Sequence, residues 1–334
     1  MSEMRFNPIT LDWVIMASDR SMKPNDFRKE DRVRPELPAW RENCPFCVGN
    51  EHLSAQEIAR ACDKDGSWQV RVVANKYPAF SPMEVVERHN EGTFRSLSAA
   101  GAHEVVIEHP KHNVALSDFT APHVRALFGL YRERYEALRL NPAVESIVIF
   151  KNHGERAGTS LEHPHSQITA APIVSAQVEA RLQEARRYHQ KTGDCLYCRV
   201  LADELEAGVR IVEESESFVA FIPYASLSPY HLWIFPRQHA SSFGAIGDCD
   251  LDHLADILSR QLRHLHVALG DPDYNFMIRS SPARAVHSPY YHWYVAIVPR
   301  VSHLAGFELG SGTYINSSRP EHCAEVLRAA AVMN

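Results

Sequence analysis

The 334-residue sequence predicts an α+β protein made of two tandem copies of one unit, and three observations carry that prediction. Two Cys-x-x-Cys pairs, Cys44–Cys47 and Cys195–Cys198, stand 151 residues apart. Each is followed by β-branched and aromatic runs bounded by proline, then by an amphipathic helical stretch and a further strand-like run. The histidines recur at a shorter, nearly constant step: His112 and His239 differ by 127 positions, His163 and His292 by 129.

Composition fits this architecture. The length exceeds one ordinary domain, and 45% hydrophobic with 23% charged residues is globular and sufficient for a core. Lys plus Arg number 35 against 41 Asp plus Glu, so a formal charge of −6 argues against a nucleic-acid partner held by bulk electrostatics. No apolar run reaches the roughly 20 residues that cross a bilayer, so no membrane association is expected. Met1–Thr10 lacks an apolar signal core. An odd count of 7 cysteines disfavours a disulfide framework. A reducing, cytoplasmic setting is therefore expected, in which Cys-x-x-Cys pairs are metal ligands or redox pairs.

In chain order, the first pair leads to strand-like runs at Val70–Phe80 and His103–His112. A helix follows over Ala121–Leu140, with apolar positions Val124, Leu127, Phe128, Tyr131 and Leu138, then Ile147–Phe150 leading to His163. The second pair leads to Phe218–Tyr224 and His231–His239. Its helix covers Asp250–Leu269, with Leu254, Ile257, Leu258, Leu262, Leu265 and Leu269, then Tyr274–Ile278 leading to His292. The larger offset at the cysteines is accounted for by an extra polar loop in the first copy, Arg88–Ala102. The units are thus 1–174 and 194–334, joined by a charged helical linker, Ser175–Gly193.

A Cys-x-x-Cys knuckle presents two thiolates to one ion, and two imidazoles complete a tetrahedral zinc site. The two candidate sets are Cys44, Cys47, His112, His163 and Cys195, Cys198, His239, His292. His112 is preferred to His109 because the repeat puts Phe235 opposite His109. Each set spans about a hundred residues, unlike a nucleic-acid zinc finger, so the metal pins a strand-and-loop framework. Two Zn2+ per chain are expected.

The segment His163-Pro-His-Ser-Gln167 carries the chemistry. In an extended strand His163, His165 and Gln167 share one face. His163 then binds metal, His165 offers a free imidazole as nucleophile, and Gln167 hydrogen-bonds an oxygen on the reacting phosphorus. Before it, Gly158, Thr159 and Ser160 let backbone N–H groups and a hydroxyl approach a phosphate.

These residues, with Asn152, Gly158, Ser160 and the upstream Cys44–Cys47, resemble the galactose-1-phosphate uridylyltransferase family of the histidine-triad superfamily, over nearly the whole chain. Arg20-Ser-Met-Lys-Pro resembles that family's basic motif, and Asn75-Lys-Tyr-Pro-Ala its nucleotide-pocket strand. The resemblance implies two tandem histidine-triad-like units, each an antiparallel sheet with packed helices, and a homodimer. It implies a ping-pong reaction through nucleotidyl-His165, stabilised by Gln167. Ser160 and Gly158 hold phosphate oxygens, Arg20 and Lys23 face the sugar phosphate, and Asn75 and Asn152 contact the nucleotide. Glu308 belongs to the hexose-phosphate pocket, often across the subunit boundary. In the second copy Tyr294 stands for His165 and Ala296 for Gln167, so one active site per chain is expected.

Lys23 sits where many members carry Arg, and Gly310-Ser-Gly312 is closer to ADP-glucose phosphorylases. The leading reading is transfer of a nucleoside monophosphate between a nucleotide sugar and a hexose 1-phosphate, of the UDP-glucose type. The alternatives are an ADP-glucose phosphorylase with inorganic phosphate as acceptor, a hydrolase of nucleotide conjugates, and a non-catalytic zinc-stabilised nucleotide-binding scaffold. Retained Arg20, Lys23 and Glu308 disfavour the hydrolase, and retained His165 the scaffold.

Overall fold

The computed structural model describes residues 2–17, 36–82 and 86–332. A hairpin comes first, β1 (Glu3–Phe6) and β2 (Trp13–Met16), its turn closed by Asn7 Oδ1 accepting the amides of Ile9 and Thr10. The first unit then runs β3 (Glu57–Cys62), β4 (Trp68–Ala74), an exposed hairpin β5 (Arg88–Glu91) and β6 (Phe94–Leu97), β7 (Ala102–Ile107), helix α1 (Ala121–Arg139), β8 (Ser146–His153) and β9 (His165–Ala171). The hairpin β5–β6 is the extra loop that the unequal spacing predicts.

Two helices follow where one linker was expected: α2 (Ala176–Thr192) and α3 (Leu196–Ala207). Ser175 Oγ accepts the Val178 amide at the start of α2, and Gly193 stops it at φ +82°, a left-handed position open to glycine. Cys195 then caps α3, so the second Cys-x-x-Cys pair is a helix start. The second unit repeats the first as β10 (Ile211–Glu214), β11 (Phe218–Phe221), β12 (Leu232–Pro236), helix α4 (Asp248–Leu269), β13 (Tyr274–Arg279) and β14 (Tyr294–Pro299). After it come α5 (Gly306–Ser311), β15 (Tyr314–Asn316), which adds in parallel to β2, and α6 (Pro320–Val332).

Ten strands form one antiparallel sheet in the order β10-β11-β12-β14-β13-β8-β9-β7-β4-β3. Outward from its centre, β8-β9-β7-β4-β3 matches β13-β14-β12-β11-β10 strand for strand. The halves therefore meet as two copies related by a pseudo-twofold axis. They are joined by pairing of β8 with β13, from Tyr274 opposite His153 to Ile278 opposite Ile149. Had the halves stayed apart, β8 and β13 would each present an unpaired edge.

Alternation along β8 sorts its side chains. Ile147, Ile149 and Lys151 are buried toward the helices, and Val148, Phe150 and Asn152 face the other side. The main core lies under α1, α4 and α6, with Leu127, Phe128 and Tyr131 meeting Leu254, Leu258 and Phe276. On the second unit's opposite face, α2 and α3 cover Trp233, Phe235 and Tyr294. Among the described residues no helix is long and apolar enough to cross a membrane.

Phe276 sits on the central strand β13, fully buried, its ring 6.1 Å from that of Phe128 in the other unit. Phe276→Ala is expected to cost about 3–5 kcal/mol in urea unfolding. It should lower the midpoint of one cooperative transition, because the sheet is continuous; two separated transitions would contradict that coupling.

Candidate active site and metal centres

β9 begins at His165, immediately after the buried His163-Pro164 step. His165 Nδ1 lies 2.8 Å from the carbonyl oxygen of His163. A carbonyl only accepts, so Nδ1 carries the proton and Nε2 keeps its lone pair. Burial holds the His165 pKa below the usual histidine range, which keeps the ring neutral. His165 lines two adjoining clefts. One, of about 350 Å³, is shared with Asn152, Gly154 and Ser160; the other, of about 470 Å³, with Phe46, Asn75, Tyr77 and Gln167.

The loop between β8 and β9 needs its glycines. Gly154 has φ +84°, and a Cβ there would stand 1.8 Å from Asp273 Oδ1; Gly158 has φ +87° with open space around it. Asp273 Oδ2 accepts the Arg156 amide at 2.8 Å, and Asn275 donates to Asn152 Oδ1 at 2.8 Å and to the Ala157 carbonyl at 2.9 Å. Strand β13 of the second unit thus fixes the loop that carries Gly158 and Ser160.

Cys44, Cys47, His112 and His163 are all buried, and their donor atoms lie within 4.8 Å of one another. The edges are 3.7 Å for Cys44 Sγ to His163 Nδ1, 3.5 Å for Cys47 Sγ to His112 Nδ1, 3.6 Å for Cys47 Sγ to His163 Nδ1 and 3.3 Å between the two Nδ1 atoms. A tetrahedral zinc with Zn–S of about 2.3 Å and Zn–N of about 2.1 Å has edges of roughly 3.3–3.8 Å. The donor set fits that ion. His163 Nε2 donates to the His109 carbonyl at 2.7 Å, the orientation a ligating imidazole needs, while burial pushes its pKa down to about 3. His109 itself stacks on His123, 4.6 Å away, and contributes its backbone.

Cys195, Cys198 and His239 form a second cluster, and His292 Nδ1 lies 3.6 Å from Cys198 Sγ. The paired rings, His239 with His292 at 5.4 Å, match His112 with His163 at 5.3 Å. A hydrogen bond from Cys198 draws the Cys195 thiol down to about 5, while Cys198 is pushed up by its neighbour. His292 Nε2 donates to the Pro236 carbonyl at 3.0 Å, repeating the orientation of His163.

Three features escape a reading of the sequence. Lys151 Nζ, 2% exposed, bonds Glu108 Oε2 at 2.5 Å and the His165 carbonyl at 3.1 Å beneath β9. Tyr131 joins this group through Ser166 Oγ at 2.5 Å and Glu108 Oε1 at 3.3 Å. His103 bonds Gln167, with Nε2 to Oε1 at 2.7 Å. The parity of Ile147, Ile149 and Lys151 was the one available signal that Lys151 faces inward.

Glu308 lines neither cleft at His165. It lies with Asn152, Arg279 and Arg300 around a third cleft of about 430 Å³, toward the second unit. Tyr294 and Ala296 line the same space, as the repeat predicts. Arg20 and Lys23 lie outside the described residues.

A model of galactose-1-phosphate uridyl transferase, N-terminal domain, matches residues 1–175, and one of a domain of unknown function, DUF4921, matches 99–332. An ADP-glucose phosphorylase of Arabidopsis thaliana is 36% identical across 99% of this chain and 93% of its own. The chain belongs to the galactose-1-phosphate uridylyltransferase family. Another family member, the galactose-1-phosphate uridylyltransferase of Thermotoga maritima, is 28% identical over 99% of both chains. The crystal structure of an ADP-glucose phosphorylase from Arabidopsis thaliana with bound ADP-glucose superposes with a TM-score of 0.83 at 33% identity, over 98% of this chain and 99% of that one. A uridylyltransferase structure gives 0.76 at 27%, over 100% and 99%. Galactose-1-phosphate uridylyltransferase family membership also fixes the fold class as α+β with two antiparallel units.

The two loop glycines separate strain from contact. Gly158→Ala adds only the cost of a left-handed alanine, about 1–2 kcal/mol. Gly154→Ala adds the clash with Asp273 and is expected to lose about 1–3 kcal/mol more in thermal unfolding; equal losses would show that the Asp273 contact is dispensable.

Proposed function

We propose that the chain is a nucleotidyltransferase that works through a nucleotidyl-His165 intermediate, with a nucleotide sugar as donor and inorganic phosphate as acceptor. The observation that carries the nucleophile is the commitment of His165 Nδ1 to the His163 carbonyl, which leaves Nε2 as the reacting atom. Similarity to an ADP-glucose phosphorylase over 99% of the chain supports an adenine nucleotide and phosphate. This moves the weight from the hexose 1-phosphate acceptor, the leading expectation from the sequence, to its alternative. The second reading, a UDP-glucose:hexose-1-phosphate uridylyltransferase, keeps the support of the Thermotoga maritima relative.

In the first half-reaction the Nε2 lone pair forms a bond to the phosphorus bearing the nucleoside, and the P–O bond to the sugar phosphate breaks. Hexose 1-phosphate leaves with that electron pair. In the second, a phosphate oxygen bonds the same phosphorus, the P–N bond breaks, and nucleoside diphosphate leaves with His165 neutral again. Gln167, Ser160 and the Gly158 backbone stabilise the charge on the phosphorus oxygens, and Asn75 and Asn152 hold the nucleotide. Arg20 and Lys23 are assigned to the sugar phosphate, and Glu308 to the hexose of a neighbouring subunit in a homodimer.

Cys44, Cys47, His112 and His163 hold one Zn2+, and Cys195, Cys198, His239 and His292 a second. Bound there, zinc supplies a cross-link that neutralises the thiolates. Phe46, inside the first knuckle, packs 5.9 Å from His163 and 5.6 Å from His165, so the knuckle braces the nucleophile directly.

His165→Ala is expected to lower phosphorolysis of ADP-glucose by about 10⁴-fold or more, and to abolish radiolabelling by ADP-glucose carrying 32P next to adenosine. Retained labelling would overturn the mechanism. The wild-type protein with ADP-glucose plus phosphate, against UDP-glucose plus galactose 1-phosphate, decides the acceptor. For the metals, Cys47→Ser and Cys198→Ser should each remove one zinc equivalent per chain in metal analysis of purified protein; unchanged content in Cys198→Ser would eliminate the second site.

A further inference from the structure

His103 stands on β7 across from Thr169, two residues before Val105, which faces Gln167. Both of its ring nitrogens are engaged. The Ala79 amide donates to Nδ1 at 3.1 Å, so Nδ1 is the lone-pair nitrogen and Nε2 carries the proton. Two groups approach Nε2: Gln167 Oε1 at 2.7 Å and Asn75 Nδ2 at 3.1 Å. Asn75 is oriented by the Tyr77 amide, which donates to its Oδ1 at 2.8 Å, so the group it turns to His103 is an NH2, itself a donor. The Nε2 proton therefore goes to Gln167. With Oε1 occupied, the NH2 is the group that Gln167 has left to offer to the cleft it lines with His165 and Ser160.

The second unit supplies an internal comparison. Trp233 faces Ala296 on β12 as Val105 faces Gln167 on β7, so His231 is the counterpart of His103. There the glutamine is gone and the histidine has changed its bond. His231 Nε2 accepts from Trp233 Nε1 at 3.1 Å, which puts its proton on Nδ1, the reverse of His103. Burial of that ring is nearly complete. The Nε2–H form is found in the unit that keeps the nucleophile and the glutamine.

We propose that His103 is a positioning residue: its Nε2–H tautomer, set by the Ala79 amide, orients the Gln167 side chain so that an N–H donor faces the phosphate attacked by His165. The proposal rests on the assignment of Gln167 to the phosphate given above.

A double-mutant cycle in rapid-quench measurement of nucleotidyl-enzyme formation tests it, with thermal midpoints recorded for every variant. His103→Ala should slow the first half-reaction about tenfold, the loss of one oriented hydrogen bond, with KM for the nucleotide sugar within about twofold. In a Gln167→Ala background the same substitution should change the rate by less than about twofold. His103→Gln, whose NH2 replaces Nε2–H, should restore most of the rate, and His103→Asn, which reaches only the Nδ1 position, should not. Equal losses of rate in both backgrounds would overturn the proposal. A second readout needs no turnover: ring 15N shifts of labelled His103 should show a protonated Nε2 and a bare Nδ1. The opposite tautomer would overturn the proposal even in an active enzyme, whereas absence of any nucleotidyl-enzyme in the wild type would instead overturn the function proposed above.

Discussion

His163 works in two directions at once. Its ring closes a cluster with two thiols and His112, and its backbone carbonyl takes the Nδ1 proton of His165. Because the ring and carbonyl belong to one residue, anything that holds the ring in the cluster also holds the acceptor that sets the tautomer of His165 two positions on. Pro164 between them limits the backbone freedom that would let the two drift apart. On the opposite face, Lys151 grips the carbonyl of His165 from within the core, itself neutralised by Glu108. A buried ion pair is a poor source of net stability, since desolvation takes back much of the attraction. Its position under His165 points to the strand geometry it enforces as its contribution.

The two units show which parts of this arrangement are separable. Both keep a Cys-x-x-Cys pair, two histidines at matching ring separation, and an Nε2–H bond from the strand-entry histidine to a backbone carbonyl. Only the first keeps an imidazole two residues later. In the second, Tyr294 fills that place and stacks 4.7 Å from Phe235 within an aromatic cluster under α2 and α3. That face is covered in the second unit by α2 and α3, and only its border, with Tyr294 and Ala296, lines the third cleft. The Cys/His framework is thus compatible with either an open or a covered sheet face.

Much of this was legible in the sequence because it is local or repeated. The strand-entry histidines and the helices α1 and α4 recur at a nearly constant step, the two knuckles at a larger one that the hairpin β5–β6 accounts for, and a recurring pattern survives errors in any one element. The helix Ala121–Leu140 was legible because its apolar spacing is one-dimensional information, and it forms over Ala121–Arg139. The sheet β1-β2-β15 was not, because Tyr314–Asn316 pairs with Val14–Met16 across about 300 residues, and nothing in either tripeptide specifies the other. Lys151 and Glu108 were missed for a related reason. Charged residues are ordinarily solvated, and only the pairing of both β7 and β8 with β9 brings these two, 43 positions apart, together. His103 escaped because its meaning depends on which neighbour meets which ring nitrogen.

The second unit has Tyr294 in the place of His165, yet the first unit leans on it. Strand β13 supplies Asn275, which ties Asn152 and the Ala157 carbonyl together, and it follows Asp273, which accepts the Arg156 amide and fills the space under Gly154. These are the contacts that shape the loop leading to Ser160 and His163. They exist only because β13 pairs with β8, so the seam between the repeats is also the support of the loop that carries Gly158 and Ser160. A chain free to drop one unit would lose that support together with the cover on an exposed strand edge. The place of His165 is taken by Tyr294 in the second copy, whereas the central strand is present in both. Asp273 lines the cleft beside His165 and Asn275 holds Asn152 from β13, so substitutions at either reach that cleft through the shape of the loop.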